Sequence, residues 1–394
     1  MGITIRDVAE RAGVSAASVS LVLNNKECRI SDETKQKIFD VAAELGYEMR
    51  KRKHRIQAAA GGKVLGVIYS DLNNELTEEC IRGMEAYASI YGYYTFHMYC
   101  QNFSKKCAEQ IGIAAELGAA GLIIIPPLDM NTGDNNILLG EKLKRSGLPF
   151  VLLDKAIYNV FCDFVTADNK QGGTMAVDHL FAMGHKKIGI LAGKQGIYNT
   201  RKRVEGYREG LMLKGIPFDE SLVYYSEYTE EGGLEGARCL TEKGISAFVA
   251  CGRTLAAGVY AFAQQQGRQI GRDISLIGFA NEEEAKKLNP RLTCICQPGE
   301  QMGRKAAEVL IKKVENGEGD GIKTNYFTPS LIEGESVKDK TIKKKEDSAH
   351  GCVEHFNAGS HAYFYWTKDC IDLRSVLGIQ YFFDDRITVE IAKK

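Results

Sequence analysis

Residues 4–25 read TIRDVAERAGVSAASVSLVLNN. Thr4 can cap a helix with Asp7 three residues on, and Ile5, Val8, Ala9 and Ala12 fall on one face before Gly13. That spacing predicts a helix of about two turns with a clean stop. After Gly13-Val14, Ser15 can cap a second helix whose Val19, Val22 and Leu23 form the buried stripe, leaving Ala16, Ala17, Ser20 and Leu21 mostly on other faces. A third helix follows from Ser31, with Ile38, Val41, Ala42 and Leu45 inward and Gly46 at its end.

Two short helices across a tight turn, the second opening with Ser-Ala-Ala-Ser, form the geometry that lets one helix enter the major groove while the other crosses the backbone. Exposed amides and the hydroxyls of Thr4, Ser15, Ser18 and Ser20 suit phosphate contacts. An ordinary three-helix bundle satisfies the same pattern. The run MRKRKHRIQ tips the balance: Arg50, Lys51, Arg52, Lys53 and Arg55 directly follow the bundle, and beside a helix-turn-helix they make a phosphate-neutralising arm with Ile56 as an apolar wedge for the minor groove.

Outward from the head the pattern changes. Between about residue 63 and residue 337 short apolar runs, KVLGVIYS, GLIIIPP, PFVLLD, KIGILAG, SAFVAC and ISLIGF, alternate with helical stretches such as Glu75 to Tyr91 and Thr174 to Met183. Continuously apolar strands joined by helices predict parallel sheets covered on both faces, the doubly wound α/β architecture. The strands are too many for one comfortable sheet, so two lobes with a cleft are expected, and such folds bind ligands beyond the carboxyl ends of their strands. A lysine-rich linker, 338–351, then leads to a small α+β piece, 352–394.

The 394 residues are 44% hydrophobic, enough for two or three domains with real cores. Lys+Arg and Asp+Glu both total 51, so any nucleic-acid surface must be local. The 11 cysteines are scattered without a CxxC pair, which fits small buried thiols in a reducing compartment better than a metal or disulfide framework. His179 and His185 lie off a common helix face and fit core or helix-end roles. With no signal core, no membrane-length apolar stretch, no phosphate loop, no nucleophile elbow and no paired carboxylates, a cytoplasmic protein without cofactor or catalysis is expected.

From residue 1 to about 337 the chain resembles the lactose-repressor family of transcription regulators. The resemblance rests on the head segment above, on RISDETKQKIFDVAAELGY, and in the core on VTADNKQGGTMAVDHLFAMGHKKIGILAG, RKRVEGYREGL, RDISLIGF, NPRLTCICQPGEQMGRKAAEVLI and LIEGES. It implies a DNA-binding head and hinge over 1–57 and a two-lobed core over 63–337 like the periplasmic sugar-binding proteins. Such a core forms a homodimer or higher assembly and binds a small effector in its cleft. The implied mechanism is linkage, in which an effector preferring one lobe arrangement changes operator affinity. A rival reading is a solute-sensing module whose altered hinge grips DNA weakly.

By the same resemblance, Thr4, Ser15, Ser20 and Asn24 fall on backbone-holding positions, and Ala16, Ala17 and Leu21 on base-reading ones. The last three lack hydrogen-bonding side chains and so cannot make the bidentate contacts worth about 1–3 kcal/mol each. Leu76, Asp154, Arg203, Arg253, Phe279 and Ala280 fall in the effector cleft. Gly252-Arg253 stands where the family has Asn-Asp, and Ala280 where it has the aspartate of a Gly-Phe-Asp turn. Losing carboxylates and gaining a cation shifts preference from neutral polyols toward an anion such as a sugar phosphate or sugar acid, held between Arg203 and Arg253. The bland alternative for Arg253 is a pair with a nearby acid such as Glu282 or Glu283, or a side chain leaning into solvent. In the tail, IDLRSVLGI resembles the C-terminal half of the histidine-containing phosphocarrier protein, with Ser375 at its regulatory phosphorylation position. Too few residues separate His361 from Ser375 for that whole fold, and a decayed fusion packed on the core is the competing reading.

Overall fold

The computed structural model describes residues 4–23, 30–45, 63–71, 74–130, 132–317 and 321–341. Three helices form the head: α1 (Ile5–Ala12), α2 (Ala16–Leu23) and α3 (Asp32–Glu44). Val8, Ala9, Ala12, Val19, Val22, Leu23, Ile38, Val41 and Ala42 make its core, as the apolar spacing predicts, with the expected Ile5 and Leu45 only partly buried against it. The caps are equally local. Thr4 donates its N–H and hydroxyl to the Asp7 carboxylate at 2.6 and 2.8 Å. Gly13 closes α1 at φ 71°, where a side chain would be strained. Ser15 Oγ accepts from the Ser18 amide at 3.0 Å, and Ser31 Oγ from the Thr34 amide at 3.3 Å. Arg11 pairs with Glu44 at 3.1 Å, tying α1 to α3.

The core holds two six-stranded sheets. The first lobe runs β1 (Val64–Tyr69), α4 (Glu75–Ile90), β2 (Tyr94–Tyr99), α5 (Ser104–Leu117), β3 (Gly121–Ile124), α6 (Gly133–Ser146), β4 (Phe150–Leu153) and β5 (Asp163–Ala167). The second runs α7 (Asn169–Ala182), β6 (Gly189–Ala192), α8 (Tyr198–Leu213), β7 (Val223–Tyr225), α9 (Glu230–Glu242), β8 (Ala247–Ala250), α10 (Arg253–Gln265), β9 (Ser275–Phe279), α11 (Glu282–Lys286) and β10 (Thr293–Cys296). Helix α12 (Gly299–Asn316) and strand β11 (Thr324–Phe327) return to the first lobe, and β12 (Ser330–Ile332) ends in the second. The strand orders are β11-β5-β4-β3-β1-β2 and β12-β10-β9-β8-β6-β7, all parallel except β12 against β10. The chain therefore crosses between lobes after β5, after β10 and after β11.

Every apolar run read as a strand is one. Helix α7 begins at Asn169, five residues ahead of the expected Thr174, because Asp168 caps it by accepting from the Gln171 amide at 2.9 Å. Three helix pairs pack with their backbones nearly touching. A Cβ on Gly83 of α4 would lie 2.0 Å from the Glu300 carbonyl of α12, and one on Gly303 of α12 would lie 1.9 Å from that of Cys80. Gly173 and Gly206 do the same between α7 and α8, and Gly233 and Gly258 between α9 and α10. The cysteines among the described residues are free, six of them buried. His185 is buried and donates Nε2–H to the Lys338 carbonyl at 3.0 Å, while His179 faces Glu333 at 3.8 Å, so both serve the packing around α7. No helix among the described residues is long and apolar enough to cross a membrane.

Candidate functional site

On the head, Ala17 and Leu21 are exposed and Ser18 and Ser20 half-buried, while Ala16 is half-buried against the head core. Thr4 and Ser15 are exposed at the amino ends of α1 and α2. Asn24, Arg50, Lys51, Arg52, Lys53, Arg55, Ile56 and Ser375 lie outside the described residues.

In the core the residues expected to line the cleft sit just past strand ends: Asp154 after β4, Arg253 after β8, and Phe279 and Ala280 at the end of β9. Arg203, on the first turns of α8, is 6% exposed. Its Nε donates to Asn169 Oδ1 at 2.7 Å, Nη1 to the Cys251 carbonyl at 2.6 Å and Nη2 to Gln297 Oε1 at 3.0 Å. The guanidinium lies over the Phe279 ring, 4.0 Å from its centroid. Asn169 and Gln297 flank the first and second lobe crossovers, so this one side chain grips both. All three acceptors are neutral, and among the described residues no carboxylate lies within ion-pair distance of it. A buried cation without a counter-charge is costly and favours an anion beside it.

Asp154 holds a left-handed φ of 67°, which aspartate tolerates better than most residues. It is buried, accepts from Asn199 Nδ2 of the other lobe at 2.9 Å, and lies 3.7 Å from the Lys155 ammonium. Lys155 is itself buried against Ser70 Oγ and the Pro126 carbonyl. Asn199 Oδ1 and Gln297 Nε2 are buried without a partner among the described residues. Two orphaned polar atoms flanking Arg203 are unmet hydrogen-bonding capacity of the kind a polar ligand fills.

Tyr228 was not among the expected residues. Its ring packs onto Gly193 and Gly252, where any Cβ would fall within 2.0 Å and 3.0 Å of it, and its hydroxyl meets Thr200 Oγ1 at 2.9 Å. Burial pushes the phenol up to about 12, so it stays protonated. Nothing periodic marks it, since it stands in the loop ahead of α9. Arg253 pairs with a nearby acid, as its bland reading had it, although the acid is neither of the two named from sequence. Its Nε meets Glu284 Oε1 at 3.1 Å, not Glu282 or Glu283, and its side chain is 37% exposed. Glu284 is selected because it is the capping partner of Asn281 and so turns inward, a signal legible in the Asn281-x-x-Glu284 spacing. Leu76 is half-buried on the first turn of α4, close to Gly299 at the second crossover.

Residues 4–49 match the family described as bacterial regulatory proteins of the lacI family, and residues 177–337 match a periplasmic binding protein-like domain. The chain is 28% identical over 336 residues to the ribose operon repressor of Haemophilus influenzae, covering 85% of this chain and 98% of that protein. It is 29% identical over 319 residues to catabolite control protein A of Priestia megaterium, covering 79% and 92%. Among solved structures, the lac repressor dimer bound to operator and the anti-inducer ONPF shares the fold at a TM-score of 0.62 and 23% identity, covering 86% of this chain and 100% of that one.

Proposed function

The chain belongs to the lacI family of bacterial regulatory proteins, and from that premise we propose a cytoplasmic, dimeric transcription regulator whose cleft takes a small anionic effector such as a sugar phosphate. It is a regulator and not an enzyme. We read 1–57 as the DNA-binding head and hinge, 63–337 as the effector-binding and dimerisation core, and 338–394 as linker and extension. In the head, Thr4, Ser15, Ser18, Ser20 and Asn24 hold phosphates and Ala16, Ala17 and Leu21 meet base edges. The basic run from Arg50 to Arg55 supplies counterion release, and Ile56 the wedge.

The observation that carries the anionic effector is Arg203, a buried guanidinium with three neutral acceptors and no carboxylate among the described residues. Because its partners Asn169 and Gln297 flank two crossovers, a ligand that draws on Arg203 acts directly on the hinge between lobes. An effector favouring one lobe arrangement then changes DNA affinity by its differential binding to the two states. Leu76, Asp154, Phe279 and Ala280 complete the lining, with Asn199, Gln297 and Tyr228 added from the geometry. Calorimetric titration of sugar phosphates against their neutral parents tests the anion: binding that needs the phosphate supports it, and indifference to the phosphate removes it. Ser375 is a candidate phosphorylation site in the extension, tested by labelling with the kinase of the phosphocarrier; no label on Ser375 dismisses it.

A further inference from the structure

A continuous chain of hydrogen bonds runs from Arg253 across to the opposite lobe. Glu284 accepts from Arg253 Nε at 3.1 Å on Oε1 and from the Asn281 amide at 3.2 Å on Oε2. Asn281 answers by accepting from the Glu284 amide at 2.8 Å, which fixes its side chain at the head of α11. The remaining arm of that carboxamide, Nδ2, donates to Glu79 Oε1 at 2.8 Å, on α4 of the other lobe. One turn earlier on α4, Glu75 pairs with Lys287 just beyond α11. Glu79 also lies against Gly299, at the second crossover. Two carboxylates of α4 are thus held by two groups flanking α11.

The arginine end of this chain is its adjustable end. Arg253 is more than a third exposed, whereas the Glu284 side chain is only 10% exposed and depends on Arg253 as its one ion-pair partner among the described residues. Burial raises the Glu284 carboxyl, opposed by Arg253, and burial likewise raises Glu79. The Arg253–Glu284 bond is charge-assisted, about twice as strong as a neutral hydrogen bond, so withdrawing the guanidinium frees the carboxylate that Asn281 relies on at the head of α11.

We propose that Arg253 is a relay between effector and interlobe contact: an anion in the cleft that takes the guanidinium from Glu284 loosens the hold of Asn281 on Glu79. The inference rests on the anionic-effector reading above and adds a positioning role for Glu284, Asn281 and Glu79, none of which need touch the ligand. Linkage makes it testable from the far end, because an anion that loosens the contact must bind more tightly when the contact is already gone.

The experiment is calorimetric titration of inorganic phosphate into the full chain and its Asn281→Asp, Glu79→Ala, Arg253→Gln and Arg203→Met variants. Asp at 281 still caps α11 but turns a carboxylate toward Glu79, so this variant breaks the contact and keeps the helix. Expected is about 5-fold or greater tightening in Asn281→Asp and Glu79→Ala, the low end of ordinary allosteric coupling, and loss of that binding in Arg253→Gln. Unchanged affinity in both contact variants, or full affinity in Arg253→Gln, overturns the relay. If phosphate binding needs Arg203 but ignores positions 253, 281 and 79, the anionic cleft stands and the relay falls. If no variant binds phosphate, both fall.

Discussion

At the scale of single residues, Arg203 was legible because its stretch matches a family pattern, but its partners were not. Asn169, Gln297 and the Cys251 carbonyl come from three distant parts of the chain, brought together only by the crossovers. Arg203→Met keeps the stem and removes the charge, taking the donor from Asn169 Oδ1 and Gln297 Oε1. Expected is a loss of about 1–3 kcal/mol in urea unfolding, together with loss of anion binding. A variant that unfolds like the parent and still binds sugar phosphate would remove Arg203 from the site. Arg253 shows the opposite limit. The substitution was visible in sequence, whereas the choice of Glu284 over Glu282 and Glu283 depends on which side of α11 faces the cleft, a consequence of the Asn281 cap.

At the scale of elements, the head was almost wholly legible because its determinants are local. Cap residues and apolar spacing within a dozen residues decide each helix, and the core contains the apolar residues that spacing selects, with Ile5 and Leu45 packed at its edge. Ser15→Ala removes the acceptor for the Ser18 amide and is expected to cost the head about 1 kcal/mol, read as a lower melting temperature by circular dichroism. Strands β1, β3, β4, β6, β8 and β9 were legible because they are continuously apolar, whereas β5 and β10, interrupted by Asp163, Thr166 and Thr293, were not singled out. Strand β2 lies at a sheet edge, with half-exposed and exposed residues, and its mixed pattern gave no comparable signal. The paired glycines on α4 and α12, α7 and α8, and α9 and α10 were equally silent, since nothing in a helix's own sequence says which face meets a neighbouring backbone. Gly303→Ala forces α12 away from the Cys80 carbonyl, and about 1–3 kcal/mol of destabilisation is expected in urea melts. Stability equal to the parent would show that the helices can part freely.

At the scale of the whole molecule, two lobes were foreseeable from strand count, but the three crossovers, and the hydrogen bonds of Arg203 to residues beside two of them, appear only in three dimensions. Stability should carry the mark of the buried histidines. Burial pushes His185 down to about 4 and lowers His179, so both are neutral in the folded core and titrate near 6.5 when unfolded. The unfolded chain therefore binds more protons below about pH 6.5. Folding stability falls as pH drops from there toward 4, a slope that His185→Gln should flatten in chemical melts.

The reading of the chain as an effector-controlled DNA-binding regulator meets its most direct test in fluorescence anisotropy of the full protein on DNA from upstream of its own gene, across a salt series and with sugar phosphates present or absent. Expected is binding well above that to scrambled DNA, falling steeply as salt rises, and shifted by a sugar phosphate in the parent but not in Arg203→Met. Equal affinity for scrambled DNA, or an operator affinity that no sugar phosphate moves, would contradict it.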